Sequence, residues 1–328
     1  MTRILRRIFN QLFSTVGQSK NQSRTSRTSR LQLQALEDRM APSRPLPGQI
    51  SNSVPTILAS DHSGAVFAGF GSSGVWEYTN NNWSQISTST ATSIVATENG
   101  VAYVGFGSAG LWEYRGGAWF RLSAATPELV QLRYGKVYVN FQGDGLWEFS
   151  PMAGWTQLST SNATTISFNA HGDVFAGFGA NGLWLDTNGQ WRQISNATPA
   201  LAQGNVFSFA GLGLWQYGGD HWIQLSTSTP TSISVVTGAI FASFGSNGFW
   251  EYKSGIWNEL SSSTADVIGI DLFSGNVYVD FVGAGLWEYN GAWTQVSSDS
   301  ATIIEPVQFS ANGGVYVILS NLGVFEYQ

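Results

Sequence analysis

Cysteine is absent from the 328 residues. Disulfides and thiolate metal sites are therefore excluded, in any compartment. Histidine is scarce: His62, His171 and His221 lie far apart and form no HExxH or other ligand spacing. Charged residues make up only 11% of the chain. No uninterrupted apolar run is long enough for a bilayer span, so no transmembrane segment is expected. There is no P-loop, dinucleotide fingerprint, nucleophile elbow or EF-hand pattern. These lacks leave no catalytic residue, metal ligand or cofactor to assign, and the chain reads as a non-enzyme.

Positive charge is also missing from most of the chain. Residues 1–44 carry 9 Lys/Arg against 2 Asp/Glu, while residues 45–328 carry 6 against 19, a net −13. A surface of that sign repels a phosphate backbone, so the body is not expected to bind nucleic acid. Residues 1–44 read as a separate basic leader. MTRILRRIFNQLF places Ile4, Leu5, Ile8, Phe9, Leu12 and Phe13 on one face of a short amphipathic helix. SKNQSRTSRTSR, which follows, has the composition of a disordered segment.

What the chain has in abundance is aromatic residues and glycine: 14 Trp, 11 Tyr, 20 Phe and 38 Gly. GLWEY occurs at 110–114 and again at 285–289, with GVWEY, GLWEF and GFWEY as variants. The Trp fall into seven pairs, opened by Trp76, Trp112, Trp147, Trp184, Trp215, Trp250 and Trp287. The spacings of these first members are 36, 35, 37, 31, 35 and 37. A fixed period of this length signals a repeat architecture. The unit TSTATSIVATENGVAYVGFGSAGLWEYRGGAWFRLS divides at its glycines into four short strands rich in β-branched and aromatic residues. Four antiparallel strands in such a unit make one propeller blade. The paired indoles then fill the gap that widens between blades toward the rim.

Complete units are expected near 52–87, 88–123, 124–159, 160–195, 196–226, 227–261 and 262–297. The remainder, 298–328, supplies three strands and lacks a fourth. Gln49-Ile50-Ser51 matches the QIS ending of WSQIS and WRQIS elsewhere. The predicted fold is an eight-bladed, all-β propeller over 45–328, closed by residues 45–51 joining the last blade, which leaves no free sheet edge. The fifth unit is short, with TPALAQG in place of a normal first strand, and reads either as a defective blade or as one partly open at the centre to admit a ligand.

Two resemblances attach to these residues. Leu36-Glu37-Asp38-Arg39, followed by Pro42-Ser43, resembles the LEDR/LEPR-type N-terminal segment of exported planctomycete proteins. This covers about a dozen residues and implies export or cell-envelope placement. GLWEYNGAWTQVS, with Gly291, Trp293, Gln295 and Val296, resembles tectonin-type propeller lectins, and GFGxxG before LWEY resembles bacterial sensor-type propellers. The first of these implies carbohydrate binding. Tectonin rings usually have five or six blades and carry a second-strand Trp where this chain has Tyr, Phe or Val.

The expected function is therefore an exported or cell-envelope binding module, secreted and monomeric, that meets a protein or a cell-surface glycan. Its contact surface is the Ser/Thr/Gly-rich loop face, where Asp144, Asn181 and Asn247 are the candidate ligand-binding residues. A tectonin-like lectin is the alternative reading, and a propeller enzyme is a third. The recurrent Glu of WEY (Glu77, Glu113, Glu148, Glu251, Glu288, Glu326) is expected to be structural, accepting from neighbouring backbone or from Gln of the W-x-Q strands.

Overall fold

The computed structural model describes residues 48–61, 64–97, 100–306 and 314–327. The leader, the LEDR segment and His62 lie outside them. Thirty-two strands form eight four-stranded antiparallel sheets, an eight-bladed propeller. Blade 1 is β2 (Ile57–Ser60), β3 (Val66–Gly69), β4 (Val75–Thr79) and β5 (Asn82–Ser87), paired in that order. Blades 2 to 7 repeat this order, and their fourth strands end at Ser123, Ser159, Ser195, Ser226, Ser261 and Ser297.

Blade 8 is assembled from both ends of the chain. β1 (Gln49–Ser51) pairs antiparallel with β32 (Gly323–Tyr327), which continues through β31 (Val315–Leu319) to β30 (Ala301–Pro306). Gln49 faces Phe325 and Ser51 faces Val324. The Gln49 amide also donates to the Leu322 carbonyl. The ring thus closes without a bare edge on its last blade.

There is no single central core. Each of the eight apolar clusters spans one junction between neighbouring blades. A blade is covered on both faces, so both faces of each strand carry buried side chains, and simple alternation is lost. At the junction of blades 8 and 1, Leu58, Val66 and Ala68 pack on Tyr316, Ile318 and Val324. The junction of blades 5 and 6 is the thinnest, with Val206, Leu214, Ile240 and Ala242 as its only fully buried members among the described residues.

The second Trp of each pair ties its blade to the one before. Its indole N–H donates to a carbonyl on the preceding fourth strand: Trp83 to Ile50 at 2.7 Å, Trp119 to Ile86 at 2.8 Å, Trp191 to Leu158 at 2.9 Å. Trp155, Trp222, Trp257 and Trp293 do the same toward Leu122, Ile194, Leu225 and Leu260. In six of the seven pairs its ring packs on the Tyr or Phe that ends WEY or WQY, with centroids 5.1 Å apart for Tyr78 and Trp83, and in blade 4, where Asp186 takes that place, Trp191 packs on Phe178 at 5.6 Å. A flat, amphipathic side chain suits this place, because it fills the splayed gap and still satisfies its one donor.

The Glu of WEY does not meet the W-x-Q amides, which corrects the expectation from sequence. Those amides go to the turn between second and third strands: Gln85 to Ser73 O, Gln157 to Asp144 O, Gln193 to Asn181 O, Gln295 to Ala284 O. Glu77 instead accepts from the Tyr114 hydroxyl of the next blade at 3.1 Å. Glu148 pairs with Lys136 at 2.8 Å, and Glu288 accepts from Asn276 at 2.6 Å. The difference is geometric: Trp76 is level with Gln85 and Glu77 with Ser84, so the Glu and Gln side chains leave opposite faces of the sheet.

Candidate functional site

The links from fourth to first strands and the turns from second to third strands share one face of the ring. Thr90, on the link into blade 2, donates its hydroxyl to Gly71 O in the blade 1 turn at 3.0 Å. Thr198 bonds Gly179 O in the same way between blades 5 and 4.

On this face the junctions open into repeated clefts. One, of about 700 Å³, lies between blades 8 and 1 and is walled by Phe70, Trp76 and Trp83 with Gln49 and Ser51. One of about 500 Å³ between blades 1 and 2 uses Phe106, Trp112 and Trp119. Clefts of about 510 and 550 Å³ follow at Phe178, Trp184 and Trp191, and at Phe244, Trp250 and Trp257. All four have uncharged linings, in a body that is otherwise acidic.

The local sequence explains where these clefts fall. Blades 1, 2, 4 and 6 carry the F-G-x-x-G turn, at Phe70–Gly74, Phe106–Gly110, Phe178–Gly182 and Phe244–Gly248. Its first glycine takes a left-handed φ of +55° to +60° and starts a single 3-10 turn. In blades 3, 5 and 7 the glycine comes one residue later, as Gly143, Gly211 and Gly283, and the second strand runs on through Phe141, Phe209 and Phe281. Each of these four clefts lies at an F-G-x-x-G turn.

Within each cleft both indole nitrogens are occupied by backbone. The first Trp donates to the turn carbonyl three residues earlier, as Trp76 to Ser73 at 2.9 Å, Trp112 to Ala109 at 3.0 Å, Trp184 to Asn181 at 2.8 Å and Trp250 to Asn247 at 2.7 Å. The rings are thus held as fixed apolar faces among hydroxyls, amides and carbonyls. The residue level with the first Trp differs from blade to blade: Gln85, Arg121, Gln193 and Glu259. The Arg121 guanidinium stands 5.7 Å from the Trp112 ring. The walls are alike and the rims are not.

Three comparisons with known proteins bear on this arrangement. No family model matches the chain, and no curated protein matches it. Solved structures do match, all at low identity. Sqt1 of Saccharomyces cerevisiae aligns with TM-score 0.61 and 11% identity over 86% of this chain and 98% of that one. Ycf48 bound to D1 peptide gives 0.52 and 10%, over 85% and 95%. The extracellular domain of the putative one-component system BT4673 from B. thetaiotaomicron gives 0.51 and 14%, over 84% of this chain and 38% of that one. At these identities the likeness establishes the propeller fold and nothing finer.

Of the residues singled out from sequence, Asn181 and Asn247 line clefts and have exposed side chains. Asp144 is exposed in the later-glycine turn of blade 3, and its carbonyl accepts from both Trp147 and Gln157. The three are on one face but in separate blades, and the structure does not bring them together. His171 and His221 are likewise apart and exposed. Among the described residues no three His, Asp or Glu gather as a metal site, and no helix is long and apolar enough to cross a membrane.

Sequence reasoning missed that the Trp pairs wall clefts as well as fill junctions. The signal was present in the position of the turn glycine. It also missed Arg133, which lines a further cavity of about 1020 Å³ toward the opposite face, and its neighbour Tyr134, and for these no repeat pattern gave a signal.

Proposed function

We propose that this chain is a non-catalytic binding module of the cell exterior or envelope, which engages a macromolecular partner through its cleft-bearing loop face. The observation that carries the reading is the fourfold recurrence of an uncharged, two-Trp cleft on one rigid face. Rigid aromatic faces give contact area at little entropic cost on binding. The fold is shared with an extracellular domain and with a propeller bound to a peptide, which supports an exported interaction role. The test uses the first Trp of each cleft, since the second holds the blades together. Wild type and the Trp76→Ala/Trp112→Ala/Trp184→Ala/Trp250→Ala variant are immobilised and exposed to envelope proteins and glycans of the source cell. The reading expects a partner retained by wild type and lost by the folded variant. Equal capture by both would overturn it.

A lectin is the second reading, favoured by the cleft chemistry. A neutral sugar ring presents apolar C–H faces to an indole and hydroxyls to nearby amides and carbonyls, and it needs no counter-charge. An array of neutral glycans tests this directly. Binding lost on Trp112→Ala and its three equivalents supports it, and a blank array with a captured protein partner rejects it.

A further inference from the structure

A cavity larger than any of the four clefts lies away from the cleft face. It measures about 1020 Å³ and lies against the first strands and adjoining turns of blades 3 to 6. Its cause is in the sequence of blade 5. The first strand there, β18 (Leu201–Gln203), has three residues, where β22 (Ser232–Val236) of the next blade has five. The missing length leaves Ile233 and Val235 half-buried at the thinnest junction.

The lining divides cleanly by chemistry. Leu132, Phe168, Leu201, Ile233 and Val235 give an apolar wall, and Gln131, Ser167 and Ser232 give neutral hydrogen-bonding groups. Arg133 is the sole charged residue of the lining, and no carboxylate faces it there. Its Nη2 donates to Asn169 O at 3.2 Å and to the Tyr134 hydroxyl at 3.1 Å, while its buried Nε has no acceptor. The Ser167 hydroxyl is buried and unpartnered as well.

The rim is unusually apolar for an exposed turn face. Tyr134 is 64% exposed, and Leu272 and Phe273 are 55% and 68% exposed on the blade 7 turn. Tyr134 holds a left-handed φ of +49°, costly for a tyrosine, and its hydroxyl donates to Ala170 O of the next blade at 2.6 Å. Its ring lies 4.3 Å from the Arg133 guanidinium, which fixes both groups beside the mouth.

We infer that this cavity is a second binding site, for an elongated amphiphile with an apolar tail and an anionic head, such as a long-chain carboxylate. The tail would take the Leu201, Ile233 and Val235 wall, and the head would pair with the guanidinium of Arg133, the sole charge of the lining. Volume fits, since sites for small organic ligands commonly span roughly 300–1,000 Å³. A peptide added as a strand is a poorer occupant. The Val235 N–H on the inner edge of β22 is already bound by the Gln203 side chain at 2.9 Å.

Decanoate and decan-1-ol are the probes, titrated by calorimetry into the full chain. Wild type should bind decanoate with sub-millimolar affinity. Arg133→Met should weaken decanoate about tenfold or more and leave decan-1-ol unchanged. Val235→Trp and Leu201→Trp, each checked by thermal melting, should block both probes by filling the cavity. The four-Trp cleft variant should still bind decanoate, so failure of the cleft reading and failure of this one are separable. Absence of decanoate binding to wild type would overturn the inference. So would equal decanoate affinity in Arg133→Met, or binding retained in both folded cavity-filling variants.

Discussion

Trp83 donates its indole N–H to the carbonyl of Ile50 at 2.7 Å, across the junction that closes the ring. The same bond joins Trp119 to Ile86 and Trp191 to Leu158, between blades that are consecutive in the chain. The closing junction therefore uses the same tie as the internal ones, although its two sides come from different ends of the described chain. Trp→Phe at 83, 119 or 191 keeps most of the ring and removes the donor. Each change should cost about 0.5–1.5 kcal/mol, the usual net worth of such a bond. Denaturant unfolding of the three variants checks this, and a closing junction much weaker than the others would show as no loss at Trp83.

Deleting residues 1–44 removes no repeat element and should leave the melting temperature within a few degrees. Deleting residues 1–52 removes β1 and bares the outer edge of β32. The bonds of Gln49 to Leu322 and of Trp83 to Ile50 go with it. This form should melt lower and aggregate through the free edge. Paired melts with light scattering distinguish the two truncations.

Gly182 and Gly189 both take a left-handed φ, +77° and +81°. A methyl at Gly182 would stand 2.1 Å from the Ser195 carbonyl, whereas at Gly189 it meets nothing within 4 Å. Gly189→Ala should cost only the conformational strain, about 1–2 kcal/mol. Gly182→Ala must also push the fourth strand away, and should destabilise clearly more in the same denaturant titration.

Burial pushes the Glu305 carboxyl from the ordinary 4.5 up to about 7, against the opposing effect of a Ser60 N–H bond. The folded state then holds a proton that the unfolded state releases between about pH 4.5 and 7. Stability should fall as pH rises through that window and level off above it. Burial raises Glu77, Asp186 and Asp280 in the same sense. The melting temperature should be higher at pH 5.5 than at pH 8, and Glu305→Gln should raise the pH 8 value and shrink the difference.

Moving the turn glycine should close a cleft. Rewriting the blade 2 turn as F-Q-G-D-G, by Gly107→Gln, Ser108→Gly and Ala109→Asp, imposes the blade 3 form. Ligand-induced quenching of tryptophan fluorescence should lose the contribution of the Trp112 cleft and keep that of the other three, with little change in melting.

The sequence by itself determined the ring. The Trp period, the glycines that punctuate each unit and the orphaned QIS segment specify blade number, strand order and closure, because each is a local signal repeated many times. The short TPALAQG segment likewise announced a curtailed first strand, which is the three-residue β18. Only the tertiary structure decided what faces what. Whether a Trp fills a junction or walls a cleft depends on the path of the turn before the third strand and on the neighbouring blade. The partners of the WEY glutamates were hidden for the same reason: Glu77 meets Tyr114, 37 residues on and in another sheet. Arg133 and Tyr134 belong to no repeat position. Their role beside the cavity arises from what blade 5 lacks, and a missing strand segment leaves no residue in the sequence to point at them.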